Sequence, residues 1–282
     1  MLTSNRSVAL FHRVALALLL LPTLAAAQDV ARMEELIRGR VDDGSFMGTV
    51  LVARADAVIL SKGYGSANLE WNLPNTPGTK FRIGSITKQF TAASILLLAE
   101  RGKLALDDPI KKHYSIAPPA WDAITIRHLL THTSGIPNHT SFPEFQQTGH
   151  LRPTTPEQTI ASFRDKPLDF APGERMSYSN SGYALLGHLV ERSSGQSYAD
   201  YLRANVFEPL GMKDSGYDSS ATIIPNRAAG YTMTASGIRN AAYVDMTVPH
   251  GAGGLYSTTE DLLRWTQGLF GGRLLSADCS RR

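Results

Sequence analysis

The spacing of apolar positions divides the chain into helical and extended segments. Near the N-terminus, four apolar residues recur at three- and four-residue intervals: Val30, Met33, Ile37 and Val41. This spacing predicts an amphipathic helix with one buried stripe. The next two runs, FMGTVLVAR and AVILSKGYG, are rich in β-branched residues and flank a polar turn, so they predict a β-hairpin.

Helical patterns dominate the middle of the chain. The apolar run of residues 85–101 predicts a long buried helix, and Thr125 is a candidate N-cap for a short one. Residues 136–157 are polar and predict a long loop, whereas SGYALLGHLVERSSG and residues 259–269 predict two more helices. Strands come early and helices follow, which favours an α+β fold class over an alternating α/β one.

The first residues have the layout of a secretory signal. A basic region with Arg6 and Arg13 precedes an apolar stretch, residues 14–21, and an A-x-A pattern ends at Ala27. The alternative is an uncleaved membrane anchor, but the apolar run is short for a span and Pro22 interrupts it. We therefore expect cleavage after Ala27, a mature domain of residues 28–282 without a stable membrane span, and a periplasmic or secreted location in a bacterium.

Composition and charge exclude several kinds of function. With 43% hydrophobic and 19% charged residues, the 282-residue chain is typical of a globular protein. The 28 lysines and arginines exceed the 25 aspartates and glutamates by three, and two of these arginines lie in the predicted signal, which leaves the mature domain a net charge of +1. This balance gives no reason to expect a nucleic-acid partner. The single Cys279 excludes an internal disulfide and a cysteine-based metal site.

Two histidines form a candidate metal pair. His128 and His132 are four residues apart on a possible helix, a spacing that zinc ligands can use. The glutamate of an H-E-x-x-H motif does not accompany them. We therefore expect no metal and no cofactor, and the sequence leaves the oligomeric state open.

A lysine in an apolar run is the first candidate for chemistry. Lys88 is the only charged residue between Arg82 and Glu100, and Ser85 precedes it by three residues, so the two side chains share a helix face. A serine hydroxyl is a poor nucleophile until a base takes its proton, and an ammonium among apolar residues loses hydration, which favours the neutral amine. The alternative is a lysine that extends its ammonium to solvent.

The tripeptide Tyr178-Ser179-Asn180 is the second candidate. It follows a Pro-Gly turn and precedes a predicted helix. A phenol held near an ammonium can act as a general base, and the amide of Asn180 can hold a substrate carbonyl or the lysine. Taken alone, Tyr178 is a packing residue and Asn180 a helix cap. Their combination with Ser85 and Lys88 favours catalytic roles.

These segments resemble those of the serine β-lactamase and penicillin-binding-protein superfamily, in the branch that contains class C β-lactamases, DD-peptidases and related esterases. FRIGSITKQFTA matches the S-x-x-K helix of that branch and PGERMSYSNSGYALLG its Y-x-N element. LLTHTSGIP, VFEPLGM and GAGGLYSTTEDLLRW are also typical of it, and the resemblance extends from about Phe46 to Trp265. It implies a serine β-lactamase-like fold, with an antiparallel sheet flanked by helices beside a mainly helical region.

The resemblance also implies a reaction. Ser85 would be the acylated nucleophile, Lys88 and Tyr178 its proton-transfer partners, and Asn180 a substrate-binding amide. The chain would then be a serine hydrolase whose small-molecule or peptide substrate is a β-lactam, a D-Ala-D-Ala-type peptide or a carboxylic ester. The alternative is a penicillin-binding or sensor domain that is acylated but does not turn over.

The chain departs from the family pattern at one element. No K-T-G or H-x-G triplet follows Trp265, so the C-terminal strands that carry it are expected to be missing. The hypothesis is a C-terminally truncated domain that is weakly active or inactive. The alternative is a compact variant in which the VPHGAGG segment replaces the lost strand, with His250 lining the cleft and Gly253 also binding substrate.

Overall fold

The computed structural model describes residues 29–55 and 57–276. The predicted signal and Cys279 lie outside these residues, and cleavage after Ala27 stays a prediction. The chain divides after Thr79 into two compact units. None of the helices in the described ranges combines the length and apolarity that a membrane crossing requires.

The first unit contains the predicted helix and hairpin. Residues 29–42 form α1. Strands β1 (Gly48–Arg54) and β2 (Ala57–Tyr64) pair antiparallel from Gly48 opposite Tyr64 to Arg54 opposite Ala57, with a register shift at Val52/Ala53. A second small pair consists of β3 (Ser66–Asn68) and β4 (Leu73–Pro74).

The second unit is mainly helical. Its helices are α2 (Thr87–Glu100), α3 (Ile126–Leu130), α4 (Pro143–Gln147), α5 (Pro156–Arg164), α6 (Asn180–Ser194), α7 (Tyr198–Leu202), α8 (Glu208–Leu210), α9 (His250–Gly253) and α10 (Thr259–Phe270). Its strands are β5 (Phe81–Arg82), β6 (Gly216–Tyr217), β7 (Tyr231–Thr234), β8 (Gly237–Asn240) and β9 (Leu255–Ser257). Strand β9 lies between β5 and β6 and is antiparallel to both, while β7 and β8 form a separate hairpin.

The core of the second unit forms around α2 and α6. Phe90 and Ile95 of α2 and Leu185 and Leu189 of α6 are fully buried, and Phe90 stacks on Trp265 of α10 with ring centroids 4.0 Å apart. Each such side chain contributes about 1.5–3 kcal/mol through its removal from water. This packing fixes the N-terminal ends of α2 and α6, where the candidate residues lie.

The start of α2 differs from the prediction. Ser85 does not open the α-helix, because it belongs to a 3₁₀ turn, Gly84–Ile86, and the α-helix begins at Thr87. Gly84 has a φ of +49°, in the left-handed region that favours glycine. The chain therefore turns sharply before the serine, which leaves the Ser85 side chain exposed at the mouth of a buried helix.

The predicted loop of residues 136–157 is wrong in part. It contains a 3₁₀ turn at His139–Ser141, helix α4, a second 3₁₀ turn at Gly149–Leu151 and the first residues of α5. Proline occupies the first position of both α4 and α5, where its missing N–H costs nothing. These prolines are helix-start signals, but the polar composition of the segment favoured the prediction of a loop.

Candidate active site

Ser85 lies in contact with two other candidate residues. Its Oγ is 2.7 Å from Oη of Tyr178 and 3.2 Å from Nζ of Lys88. Lys88 reaches Ser85 from the first turn of α2, and Tyr178 reaches it from the segment that precedes α6. The structure therefore brings together the three residues that were predicted to be catalytic, although they come from segments about 90 positions apart in the sequence.

Lys88 is buried, with 6% of its surface exposed. Its Nζ donates to Oδ1 of Asn180 at 2.8 Å and to the carbonyl oxygen of Ala252 at 2.7 Å. Burial disfavours the charged form and lowers the pKa of Lys88, while the nearby Tyr178 partly opposes this shift. The lowered pKa makes the neutral amine more accessible than in an exposed lysine.

The partners of Lys88 decide where its lone pair points when the amine is neutral. Oδ1 of Asn180 and the carbonyl of Ala252 can only accept hydrogen bonds, so they take the two N–H bonds of the amine. The remaining partner is Oγ of Ser85. The lone pair is therefore available to the serine proton, which is the arrangement that a general base requires.

Asn180 holds the lysine through a network at the N-terminus of α6. Its backbone N–H donates to Oδ1 of Asn138 at 3.0 Å, and its Nδ2 donates to Oγ1 of Thr140 at 3.0 Å. With Oδ1 occupied by Lys88, the side-chain amide is engaged at both ends. Of the two roles considered from the sequence, the structure shows the one that positions the lysine, and substrate binding by Asn180 stays a prediction.

Tyr178 is 45% exposed, and its ring packs against the ring of His132. The Tyr178 ring centroid lies 4.7 Å from that of His132, and Nζ of Lys88 lies 4.8 Å from it. Nζ also lies 5.5 Å from the ring centroid of Tyr183. Cation–π contacts of this kind stabilise an ammonium that lacks water.

The prediction that His250 lines the cleft is not supported by its position. The His250 side chain is buried, its Nε2 is 3.5 Å from Oε1 of Glu191, and its ring packs against Tyr198 with centroids 5.0 Å apart. A φ of +35° and the missing side chain of Gly187 let the ring turn into the core between α6 and α7. His250 is therefore a core residue that anchors α9.

Gly253, the other residue predicted in this segment, does lie beside the nucleophile. A Cβ built on Gly253 would be 3.7 Å from the carbonyl carbon of Gly84, the residue before Ser85. The preceding residue, Ala252, supplies the carbonyl that holds Lys88. The segment thus forms one side of the site through its backbone, and substrate binding by Gly253 stays a prediction.

Sequence reasoning missed Asn138, Thr140 and Ala252. Asn138 directly follows LLTHTSGIP, one of the segments typical of the family, so its neighbourhood offered a signal. Ala252 acts through its carbonyl oxygen, which every residue has. A backbone contribution of this kind leaves no trace in the choice of side chain.

The described residues contain no group of three or more His, Cys, Asp or Glu side chains that could hold a metal ion. The candidate pair is used for other contacts. Nδ1 of His128 accepts from the Thr125 N–H at 3.2 Å in the cap of α3, and Nδ1 of His132 accepts from the Ser179 N–H at 3.2 Å. These contacts give the two histidines separate structural partners.

Comparison with known proteins gives the family of this chain. The family model described as Beta-lactamase matches residues 33–280. The chain belongs to the Beta-lactamase family. This family membership confirms the resemblance to the serine β-lactamase and penicillin-binding-protein superfamily. The fold confirms the predicted α+β class.

Relatives of this family member include penicillin-binding proteins. The putative penicillin-binding protein PbpX of Bacillus subtilis (strain 168) is 32% identical over 231 residues, which cover 82% of this chain and 56% of PbpX. The chain spans about half the length of the curated relatives that it matches. A solved penicillin-binding protein from Bacillus halodurans is 32% identical, with a TM-score of 0.76 over 86% of this chain and 76% of that one.

A second kind of structural neighbour is an amidase. The D-amino acid amidase from Ochrobactrum anthropi SV3, solved in complex with D-phenylalanine, is 27% identical to this family member. The two have a TM-score of 0.76, and the match covers 88% of this chain and 74% of the amidase. The shared fold therefore extends to a protein named for amide chemistry.

Proposed function

We propose that this chain is a serine hydrolase that forms an acyl-enzyme on Ser85. The observation that carries the proposal is the contact of Ser85 Oγ with both Tyr178 Oη and Lys88 Nζ, at 2.7 and 3.2 Å. Membership of the Beta-lactamase family and the likeness to an amidase support the same reaction class. Nucleophilic serines need an adjacent base within hydrogen-bond distance, and two candidate bases meet that condition.

The first half-reaction transfers the acyl group to the enzyme. Oγ of Ser85 attacks the substrate carbonyl carbon while its proton passes to Lys88 or Tyr178. The tetrahedral intermediate then expels the amine or alcohol, which takes up that proton, and the acyl group remains as an ester of Ser85. Neutral Lys88 has the required lone pair because Asn180 and Ala252 hold its N–H bonds.

The second half-reaction releases the acid. A water molecule gives its proton to the same base and attacks the ester carbonyl, and Ser85 leaves with that proton restored to Oγ. We infer a substrate that is a β-lactam, a D-Ala-D-Ala-type peptide or a carboxylic ester. The penicillin-binding relatives support the first, and the amidase supports a substrate with a D-configured residue.

The alternative is a domain that is acylated but does not turn over, as the names of the penicillin-binding relatives allow. The two functions differ in deacylation alone. Time-resolved intact mass spectrometry with benzylpenicillin and with p-nitrophenyl acetate separates them. For a hydrolase we expect a transient adduct on wild type with accumulating product, and no adduct on Ser85→Ala.

Three other results would change the conclusion. A permanent adduct on wild type would favour the non-hydrolysing domain. An adduct that persists on Ser85→Ala would place the nucleophile elsewhere, and no adduct from either compound would contradict both functions. The expectation of a missing third family element, with weak activity as its consequence, stays a prediction that the rate of the wild-type reaction addresses.

A further inference from the structure

His132 accepts two hydrogen bonds, one from each of the residues that flank Tyr178. The carbonyl oxygen of His132 accepts from the N–H of Ser177 at 2.8 Å, and its Nδ1 accepts from the N–H of Ser179 at 3.2 Å. These donors are the residues immediately before and after Tyr178. Because both neighbours of Tyr178 are hydrogen-bonded to His132, this one residue fixes the position of the Tyr178 backbone and hence the direction of its side chain.

The ring of His132 also supports the phenol directly. It lies between two tyrosine rings, with centroids 4.7 Å from Tyr178 and 5.0 Å from Tyr183. His132 itself has a φ of +59°, a conformation that is uncommon for residues other than glycine, although asparagine, aspartate and histidine adopt it more often than the rest. This conformation occurs two residues after the end of α3. It directs the His132 ring to the phenol that contacts Ser85.

The contact with Ser179 requires a neutral imidazole. A backbone N–H can donate only to a ring nitrogen with a free lone pair, so Nδ1 is unprotonated and any ring proton is on Nε2. The titratable groups that face the ring are Tyr178, Tyr183 and, through them, Lys88. Burial, followed by the charge of Lys88, lowers the pKa of His132 from 6.5.

We propose that His132 is a positioning residue for Tyr178 that works only as a neutral imidazole, so that its protonation adds an acid inflection to the reaction at Ser85. This inference rests on the proposed serine hydrolase function. Protonation of Nδ1 removes the acceptor for Ser179 and adds a cation to the side of the site where Lys88 is already buried. Both changes move Tyr178 from the position in which its Oη meets Oγ of Ser85.

Two substitutions of His132 distinguish its role as a hydrogen-bond acceptor from the protonation of its ring. In His132→Asn, Oδ1 takes the place of Nδ1, asparagine tolerates the left-handed conformation, and the side chain does not titrate. In His132→Ala the acceptor is lost. His128→Asn is the matched control, because His128 also accepts a backbone N–H through Nδ1, but in the cap of α3.

The first measurement is the pH profile of kcat/KM for p-nitrophenyl acetate. We expect the wild-type value to fall below an inflection that lies under pH 6.5, and the His128→Asn profile to follow it. His132→Asn should retain kcat/KM at pH 8 within a few-fold and lose that inflection. His132→Ala should lose about 10²-fold, mainly in kcat, which is typical of a misplaced catalytic group.

The second measurement does not depend on turnover. Nitrogen NMR of ¹⁵N-histidine protein, with His132→Asn used for assignment, should show an unprotonated Nδ1 for His132 at pH 8 and a titration midpoint below 6.5. A proton on Nδ1, or a His132→Asn profile with the wild-type acid inflection, would overturn the proposal. A wild type with no Ser85-dependent reaction but with the expected nitrogen spectrum would instead contradict the proposed function.

Discussion

Tyr178 offers a substitution that separates chemistry from folding. Its ring is 45% exposed and its hydroxyl contacts Ser85 at 2.7 Å. Tyr178→Phe keeps the ring contacts with His132 and Lys88, so we expect the free energy of unfolding to change by less than about 0.5 kcal/mol. Loss of the hydroxyl should lower kcat/KM by about 10²-fold or more, the usual contribution of a general acid–base group.

A matched control for this variant is Tyr243→Phe. Tyr243 is 53% exposed, and its hydroxyl donates to Asp245 at 3.1 Å. It therefore tests the loss of one exposed phenol hydrogen bond without a change at Ser85. Ester hydrolysis and urea denaturation of both variants give the comparison. Full activity in Tyr178→Phe would show that Lys88 alone serves as the base.

The meeting of Ser85, Lys88 and Tyr178 could be predicted because each residue has a sequence signal. Lys88 is a lone charge in an apolar run three residues after Ser85, and Tyr178 lies in a tripeptide that the family pattern contains. The position of the His250 side chain was predicted incorrectly, because residues next to it in the sequence do lie at the site. The direction of its side chain depends on a φ of +35° and on space beside Gly187, and neither can be read from the local pattern.

Helices α6 and α9 approach closely because Gly187 has no side chain. A Cβ at this position would lie 2.6 Å from Nδ1 of His250 and 2.9 Å from its Cε1. Alanine favours a helix by about 1 kcal/mol over glycine, but overpacking of a core costs about 1–3 kcal/mol. We expect Gly187→Ala to destabilise the fold and also to lower activity, since α9 carries the Ala252 carbonyl that holds Lys88.

The control for this variant is Gly182→Ala on the same helix. There a Cβ would meet the Leu129 carbonyl oxygen at 3.5 Å, an ordinary contact, so the helix preference should dominate. We expect Gly182→Ala to raise the free energy of unfolding by up to about 1 kcal/mol. Urea denaturation measures both variants, and equal effects at the two positions would contradict a specific clash with His250.

The secondary structure could be predicted best where one periodicity runs through a whole element. The hairpin of β1 and β2, helix α6 and helix α10 follow such patterns and occur where they were expected. The 136–157 segment could not be predicted in this way, because α4 has five residues and is held by contacts with the two 3₁₀ turns beside it. Its polar composition reflects exposure and not the path of the backbone.

The stability of the whole molecule should depend on pH through its buried histidines. Burial, followed by the charge of Lys88, lowers the pKa of His139 from 6.5 to about 4. The pKa of His132 and of His188 is lowered as well, in both cases chiefly by burial. Carboxylates act at lower pH: the hydrogen bond from Lys112, for example, lowers the pKa of Asp108 to about 2. The change in stability between pH 7 and pH 5 therefore comes mainly from the histidines.

His139 gives the sharpest test of this dependence. Its Nδ1 lies 3.0 Å from Oγ of Ser181, and that hydroxyl donates to the carbonyl of Pro137, so the neutral ring must supply the proton between them. The unfolded chain binds a proton on this histidine below pH 6.5 whereas the folded chain does not, so stability is lost as the pH falls. For a shift to about 4, the loss at pH 5 is about 2 kcal/mol.

The matching variant is His139→Asn, whose side-chain amide can still donate to Ser181 but does not titrate. It should be less stable than wild type at pH 8, because a smaller side chain leaves space in a site that is 4% exposed in the wild type. On lowering the pH from 8 to 5, the stability difference between the two proteins should shrink by about 2 kcal/mol, since the effects of His132 and His188 are common to both and cancel. Urea denaturation at each pH measures this change. Parallel pH curves would show that His139 accepts its proton in the folded protein as readily as in the unfolded chain.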